Sequence, residues 1–368
     1  MKHVTNSDWD SRVLAAQPGA HFMQSDAWAA LKAGSPWKPS RLEIALPAAA
    51  TSAPASATAP ATAPATAPAT ARAATATAAT FPVQAFSRKA TPLGTLRHLP
   101  RVTGVTAQHV AGLTAAAEAS PAGTLAMKLE FFQPLDAELV ASFTQAGWRA
   151  CKASQYRHAV VVDTSGTEDT LLAGFKKRAR YEVRLAERSG VTVEAAEPTE
   201  ANMARLLTLL HETADRTGAF FRNDAYLLKS WREFAARGQG FVYLAEHEGD
   251  LVAGAFVMTF GNVGWYKDGG STREKDKLGG ARYLQFCIMR DLQARGITSY
   301  DLGVIPPPAE SENSAMKGLF TFKTSFSEET TTFMPALQYR LGAGYDLWQK
   351  YEGKYLGAYS RLKHDYWY

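Results

Sequence analysis

Between Thr199 and Val304 the order of elements leaves few folds open. Two amphipathic runs, Thr199–Thr217 and Asn223–Arg237, each stop at a glycine. Three strand-like runs follow, Phe241–His247, Leu251–Phe260 and Gly264–Lys267, joined by short turns, the second of them Gly261-Asn262. Connections this short make the three strands antiparallel neighbours. A helix at Gly280–Arg295 and a strand at Ser299–Val304 complete the set. A helix pair, a meander, a helix and a strand predict an α/β (α+β) unit with a mixed, largely antiparallel sheet flanked by helices.

The rest of the chain repeats this mixture. FMQSDAWAALK at 22–32 predicts a short helix with Ser25 as N-cap. Phe22, Trp28 and Leu31 are its core residues, and Lys32 stands at its C-terminal end, where a lysine suits the helix dipole. Strands are expected at Arg41–Leu46, Pro82–Arg88 and Gly94–Pro100, and a helix at Ala107–Glu118. A strand at Leu125–Phe132 carries Lys128 and Glu130 on one face; a helix at Asp136–Ala146 and a strand at Ser154–Val162 close a first unit. Residues 47–80 are nearly all Ala, Thr, Pro and Ser. Such a run lacks the apolar surface to offset chain entropy, so a disordered hairpin insertion is expected there.

Residues 168–190 predict one long helix whose Lys176, Arg180, Arg184 and Arg188 form a basic stripe at i, i+4 spacing. A row of cations suits the repeated phosphates of RNA, and a solvated helix face explains it equally well. In GLFTFKTSF, Gly318–Phe326, Phe320 and Phe322 alternate with Thr321 and Lys323, which reads as a half-buried strand. The aromatic and basic tail from Tyr339 is expected to pack back as a helix on the first unit. Length allows two domains: 1–160 with 334–368, and 161–333.

Several chemistries lack their motifs. There is no GxSxG, HExxH, CxxC pair or GxxxxGK[ST]. Cys151 and Cys287 form no framework or metal spacing, so no metal or cofactor is expected and a reduced compartment is the simplest reading. The net charge of +5 permits a polyanionic partner without requiring one. MKHVTNSDWD has no apolar signal region, and no run approaches the length of a membrane span.

The element order resembles the GNAT acyltransferase fold. Its usual Gly-rich pyrophosphate loop is degenerate here: Lys277-Leu278-Gly279-Gly280-Ala281 lacks a leading Arg or Gln at the right spacing. An acyl donor other than acetyl-CoA is therefore expected. Several stretches together resemble the Fem family of tRNA-dependent peptidoglycan-bridge aminoacyltransferases. They are FMQS…W…LK, KKRARYEVRLAERSGVTV, TADRTGAFFRNDAY, WYKDGGS, the YDxxG-like Tyr300–Gly303, and the FK pair Phe322-Lys323. No long insertion separates Gly218 from Arg222, which is similar to the compact form without a coiled-coil arm.

The resemblance implies two GNAT-like domains and transfer of an amino acid from aminoacyl-tRNA to the side-chain amine of a peptidoglycan precursor. Matched by position, it places Lys32, Arg222, Tyr226 and Tyr266 on the diphosphate of a lipid-linked or UDP-linked muramyl peptide. Phe322 and Lys323 fall at the aminoacyl-tRNA end, where Lys323 holds a terminal phosphate or stabilises an oxyanion. Lys176, Arg180 and Arg184 would face tRNA. Deprotonating a lysine-like amine at neutral pH costs about 4 kcal/mol, so a base, desolvation or both are needed. Glu130 is the first candidate base and Asp301 the second. The implied location is cytoplasmic with peripheral contact to the inner membrane face, and no DNA partner is implied. Two rival readings are a GNAT-type N-acyltransferase with another donor and a non-catalytic RNA- or precursor-binding protein.

Overall fold

The computed structural model describes residues 8–47, 80–90, 92, 94–313, 316–363 and 365–368. Most of the 47–80 insertion lies outside the described residues. The chain begins with helices α1 (Asp8–Ala16) and α2 (Asp26–Ala33), strands β1 (Lys38–Ala45), β2 (Thr80–Lys89) and β3 (Thr95–Val102), then α3 (Ala107–Glu118), β4 (Thr124–Phe131), α4 (Ala137–Gln145) and β5 (Arg149–Ala150). It continues with β6 (His158–Asp163), α5 (Glu168–Gly174), α6 (Lys177–Arg188), β7 (Thr192–Ala196), α7 (Glu200–Thr217) and α8 (Asp224–Ala236). Strands β8 (Gly240–His247), β9 (Asp250–Phe260) and β10 (Val263–Ser271) form the expected meander, followed by α9 (Gly280–Ala294) and β11 (Ser299–Ile305). Last come α10 (Lys317–Lys323), β12 (Thr331–Thr332), β13 (Leu337–Arg340) and α11 (Tyr345–Lys363).

Two mixed sheets result. The first runs β1-β2-β3-β4-β13-β5 and the second β12-β6-β11-β10-β9-β8-β7. Each has an antiparallel run that ends in one parallel pair, β3 with β4 and β10 with β11. A crossover helix joins each parallel pair, α3 in one and α9 in the other, as parallel strands require. The two pairs differ at their ends. The β10–β11 register runs only from Val263↔Ser299 to Trp265↔Asp301, so that pair opens, whereas β3–β4 has an irregularity after Leu99 and pairs again at Val102↔Phe131.

Three expectations change in the structure. The strand expected to close the first unit, β6, pairs with β11 and β12 in the second sheet. The single helix over 168–190 is broken. Phe175 adopts extended backbone between α5 and α6, and the Lys176 amide bonds to Ser325 O at 2.9 Å. Phe175 is buried against Phe326, ring centroids 5.1 Å apart, and a straight helix could not turn it there. GLFTFKTSF is not a strand, since its first part is α10. Four alternating residues do not separate period 2 from a helical turn; Phe322 and Phe326, four apart, pack at 5.3 Å. The Thr324 and Ser325 hydroxyls then bond back to the carbonyls of Phe320 and Phe322 and mark the helix end.

Three buried clusters hold the sheets. One lies on the first sheet under α3 and α4. Another packs α5, α6 and α9 on one face of the second sheet. The third joins the two sheets: Trp9, Phe22 and Trp28 meet Met203, Leu206, Trp231 and Phe256, with Trp348 of α11. Fully burying a side chain such as Phe256 contributes about 1.5–3 kcal/mol. This third cluster fixes α2 against α8, which builds the pocket described next.

Candidate active site

The α8 N-terminus sets two candidate residues in place. The Asn223 side chain accepts from the Tyr226 amide at 3.0 Å and caps the helix. Arg222 therefore sits just before the cap and Tyr226 in the first turn, four residues on and facing the same way. The Arg222 guanidinium lies 4.4 Å from the Tyr226 ring centroid. Lys32 arrives from the last turn of α2, 4.8 Å over Trp28 and 5.7 Å from the Tyr226 ring. It is not the exposed helix-end lysine that its position suggests; it is 6% exposed.

Burial pushes the Lys32 pKa down to about 7; Arg222 adds to the shift, Asp365 opposes it, and Arg88 and Lys267 add again. Arg88, Arg222 and Lys267 thus lie within electrostatic reach of Lys32, in one cluster with two side-chain carboxylates. Asp365 pairs with Arg222 at 2.5 Å, and Asp268 pairs with Lys267 at 3.1 Å. Main-chain oxygens of the tail fill in further: Tyr368 O accepts from Arg222 at 2.6 Å, and Trp367 O from Trp37 at 2.8 Å and from Arg88. The Tyr226 hydroxyl is buried with no hydrogen-bond partner among the described residues, and burial pushes its pKa up to about 12. A pocket with surplus buried cations and a spare hydroxyl suits a multiply anionic ligand such as a diphosphate.

Tyr266 is not part of this pocket. It sits on β10 with the α9-side core, while its neighbour Trp265 faces the other cluster. Its ring lies against Gly269, within electrostatic reach of Asp268, and only its main-chain oxygen approaches Lys323. A Cβ on Gly303 would lie 3.1 Å from Lys323 Nζ and 3.8 Å from that oxygen. Gly303 has φ 85°, a conformation that favours glycine. Lys323 ends α10 with its Nζ in the opening between β10 and β11, donating to Val304 O at 2.9 Å. Burial pushes its pKa down to about 8, against the pull of Asp301. Burial raises Asp301, opposed by the Gly303 amide at 2.7 Å and by Lys323 and Arg101. Phe322 points elsewhere, beneath Arg282 and beside Phe326.

Glu130 is buried in the first sheet. Oε1 meets Lys128 at 3.1 Å and the Ser154 amide at 2.8 Å, and Oε2 accepts from the Ser154 hydroxyl at 2.7 Å. Burial alone would raise its pKa; Lys128, His98 and Arg101 overcome that and hold it well below the usual carboxylate range. A low pKa and occupied lone pairs make an anchor, not a general base. Between Glu130 and Asp301 stands Arg101, buried and at φ 51°, with Nε unpartnered among the described residues.

The basic stripe splits with its helix. Lys176 and Arg184 are exposed, but Arg180 turns inward to the carbonyls of Phe175 and Ala173. Arg188, the last of the stripe, is exposed too, with Lys177 and Tyr181 beside it on α6, and a cleft of about 710 Å³ opens beside Lys176, Lys177 and Arg180. The degenerate Gly-rich loop is covered. Gly279, at φ 74°, begins α9, and a Cβ there would lie 2.7 Å from Glu182 O. Glu182 also pairs with Arg282 at the same helix start. Helix α6 thus packs over the loop that matches, by resemblance, the GNAT pyrophosphate loop.

Sequence reasoning missed Arg88, Lys267, Asp365 and Arg101. They come from separate strands and the tail, and only folding brings them to these pockets.

Residues 173–313 match the family described as an acetyltransferase (GNAT) domain. Among solved structures, FemX aligns with TM-score 0.75 and 18% identity, over 95% of this chain and 99% of that one. The fold is Fem-like. L-PGS from Bacillus licheniformis aligns with TM-score 0.45 at 17% identity, covering 70% of this chain and 81% of its own. A tandem GNAT protein from the clavulanic acid biosynthesis pathway gives 0.40 at 12% identity, covering 71% and 79%. No curated protein matches the sequence. The Fem-like fold carries two GNAT-like halves, and together with the GNAT-domain match it supports an acyltransferase.

Proposed function

We propose that this acyltransferase moves an amino acid from aminoacyl-tRNA to the side-chain amine of a muramyl stem peptide, building peptidoglycan bridges. The observation that carries the reading is the convergence of Lys32, Arg222 and Tyr226 in one buried pocket whose cations outnumber its carboxylates. It fits the diphosphate of the precursor. Lys323 fits the donor end, where a buried ammonium stabilises the oxyanion as the ester is attacked. The amine nitrogen bonds to the ester carbonyl carbon, the bond to the tRNA ribose oxygen breaks, and the amine's proton passes to that oxygen. No enzyme nucleophile is needed.

The amine must first lose a proton. An interior that lowers two of its own lysines to about 7 and about 8 does the same to a substrate amine that leaves water there. Desolvation thus takes the task that the occupied Glu130 does not, with Asp301 as the carboxylate nearest Lys323.

The GNAT-domain match favours a rival, N-acylation from acyl-CoA, which Glu182 at the α9 start disfavours. The test is a transfer assay with a lysine-containing muramyl pentapeptide acceptor and total tRNA charged with labelled amino acids, read by mass spectrometry. One added amino acid is expected. Product from acyl-CoA and none from charged tRNA would overturn the reading.

A further inference from the structure

Helix α11 buries one side and exposes a segregated other. Tyr345 and Trp348 are buried, and Tyr355, Leu356 and Tyr359 pack on the central cluster. At 100° per residue, Lys350, Arg361, Lys354, Leu347, Ala358, Tyr351 and Leu362 fall within an arc of about 120° on the opposite side. Leu347 is 46% exposed, Tyr351 44% and Leu362 79%. Lys350, Lys354 and Arg361 are also exposed. Neither acid of the helix lies on this arc. Asp346 pairs with Arg340 at 2.8 Å, and Glu352 accepts from the Tyr368 hydroxyl at 2.7 Å.

The apolar line does not stop at the helix end. Tyr366, 48% exposed, meets Phe220, 43% exposed, edge to face at 4.9 Å. The Arg222 guanidinium lies 5.1 Å from the Tyr366 ring. An exposed aromatic pair beyond the end of α11 therefore flanks Arg222.

We propose that the outer face of α11, continued by Tyr366 and Phe220, docks on an anionic lipid bilayer. Three cations with no acid partner among the described residues complement anionic headgroups, and their long stems let the charges reach outward while the apolar side chains sink. RNA would answer the cations and Tyr351 but leave Leu347 and Leu362 without a partner. Resting on the aminoacyltransferase reading, the docking implies a lipid-linked acceptor whose diphosphate passes from the membrane surface to Arg222 and Lys32.

The test is co-sedimentation of the full chain with vesicles of phosphatidylcholine alone or mixed with phosphatidylglycerol. Binding is expected only to the mixed vesicles and should weaken with salt. Lys350→Gln/Lys354→Gln/Arg361→Gln should weaken it about a hundred-fold, roughly five-fold per charge. Leu347→Glu/Leu362→Glu should abolish it. Both variants should melt like the parent and keep its transfer to a water-soluble nucleotide-linked acceptor. A parent that ignores mixed vesicles overturns the proposal, as does a double-glutamate variant that binds as the parent does. Loss of tRNA affinity in the glutamine variant, with no vesicle binding by the parent, would make the face an RNA surface instead. Failure of the aminoacyltransferase reading would show separately, as absent transfer to the soluble acceptor while vesicle binding persists.

Discussion

The parallel pairs of the two sheets each carry one buried cation, and they hold it differently. In the first, β3 and β4 stay paired to Val102↔Phe131 and Arg101 sits at the irregularity just before it; its Nη groups reach Phe131 O at 3.5 Å, Gln155 at 2.7 Å and Tyr156 O at 3.4 Å. In the second, Lys323 fills the gap between β10 and β11 with a single bond to Val304 O. The arginine stays charged and is held by several acceptors, which suits a structural plug. The lysine has one acceptor, a carboxylate within electrostatic reach and a pKa near neutrality, which leaves it donors to spare. The cation of the first pair is thus tied on several sides, and that of the second, among the described residues, on one.

That contrast is broken most directly by removing each cation. Lys323→Met should lower kcat for transfer about 10²–10³-fold, with acceptor binding and melting temperature little changed. Arg101→Met should do the opposite, costing about 3 kcal/mol of stability while the folded fraction keeps transferring. Comparable loss of transfer in both, at equal folded fraction, would end the distinction.

Lys32 sharpens it by a second route. Lys32→Met should weaken binding of a diphosphate-linked acceptor about 30-fold or more, read by calorimetry. The sign of its pH dependence follows from the lowered pKa. Charged Lys32 destabilises the fold fully below pH about 7, and the penalty fades as pH rises towards the unfolded value of about 10.4. A bound anion restores the charge, so affinity should fall as pH rises through 7, by at most about tenfold per pH unit. The methionine variant should lose that slope.

Glu130→Gln should cost about 3 kcal/mol in denaturant unfolding and flatten acid sensitivity. The depressed Glu130 pKa contributes stability above the unfolded carboxylate value of about 4.3, and this is lost as pH falls towards the folded value. Transfer per folded molecule should persist; loss of transfer with stability intact would return Glu130 to the role of base. The smallest effect belongs to α6. Arg184→Gln with Arg188→Gln should raise KM for charged tRNA a few-fold and reduce its salt dependence by about two.

The meander, α9 and α3 were legible because long periodic segments bounded by glycines state their own period. Capping was equally local: Ser25 and Asn223 each accept the amide three residues on. Helix α10 was not legible, because Phe320–Lys323 is too short for either period to win. Nor was the break before α6, which depends on where Phe326 waits for Phe175. Lys32, Arg222 and Tyr226 could be matched by resemblance, and packing of α2 on α8 brings them together. Tyr266 could not be assigned, because a strand sends neighbours to opposite faces and the register of β10 decides which. The sequence by itself determined the succession of elements and the residue types available to the site, since both rest on local periodicity and local hydrogen bonds. The tertiary structure alone decided which cations share a pocket, which carboxylate is occupied and which lysines lose water, because charge and solvation depend on neighbours distant in the chain.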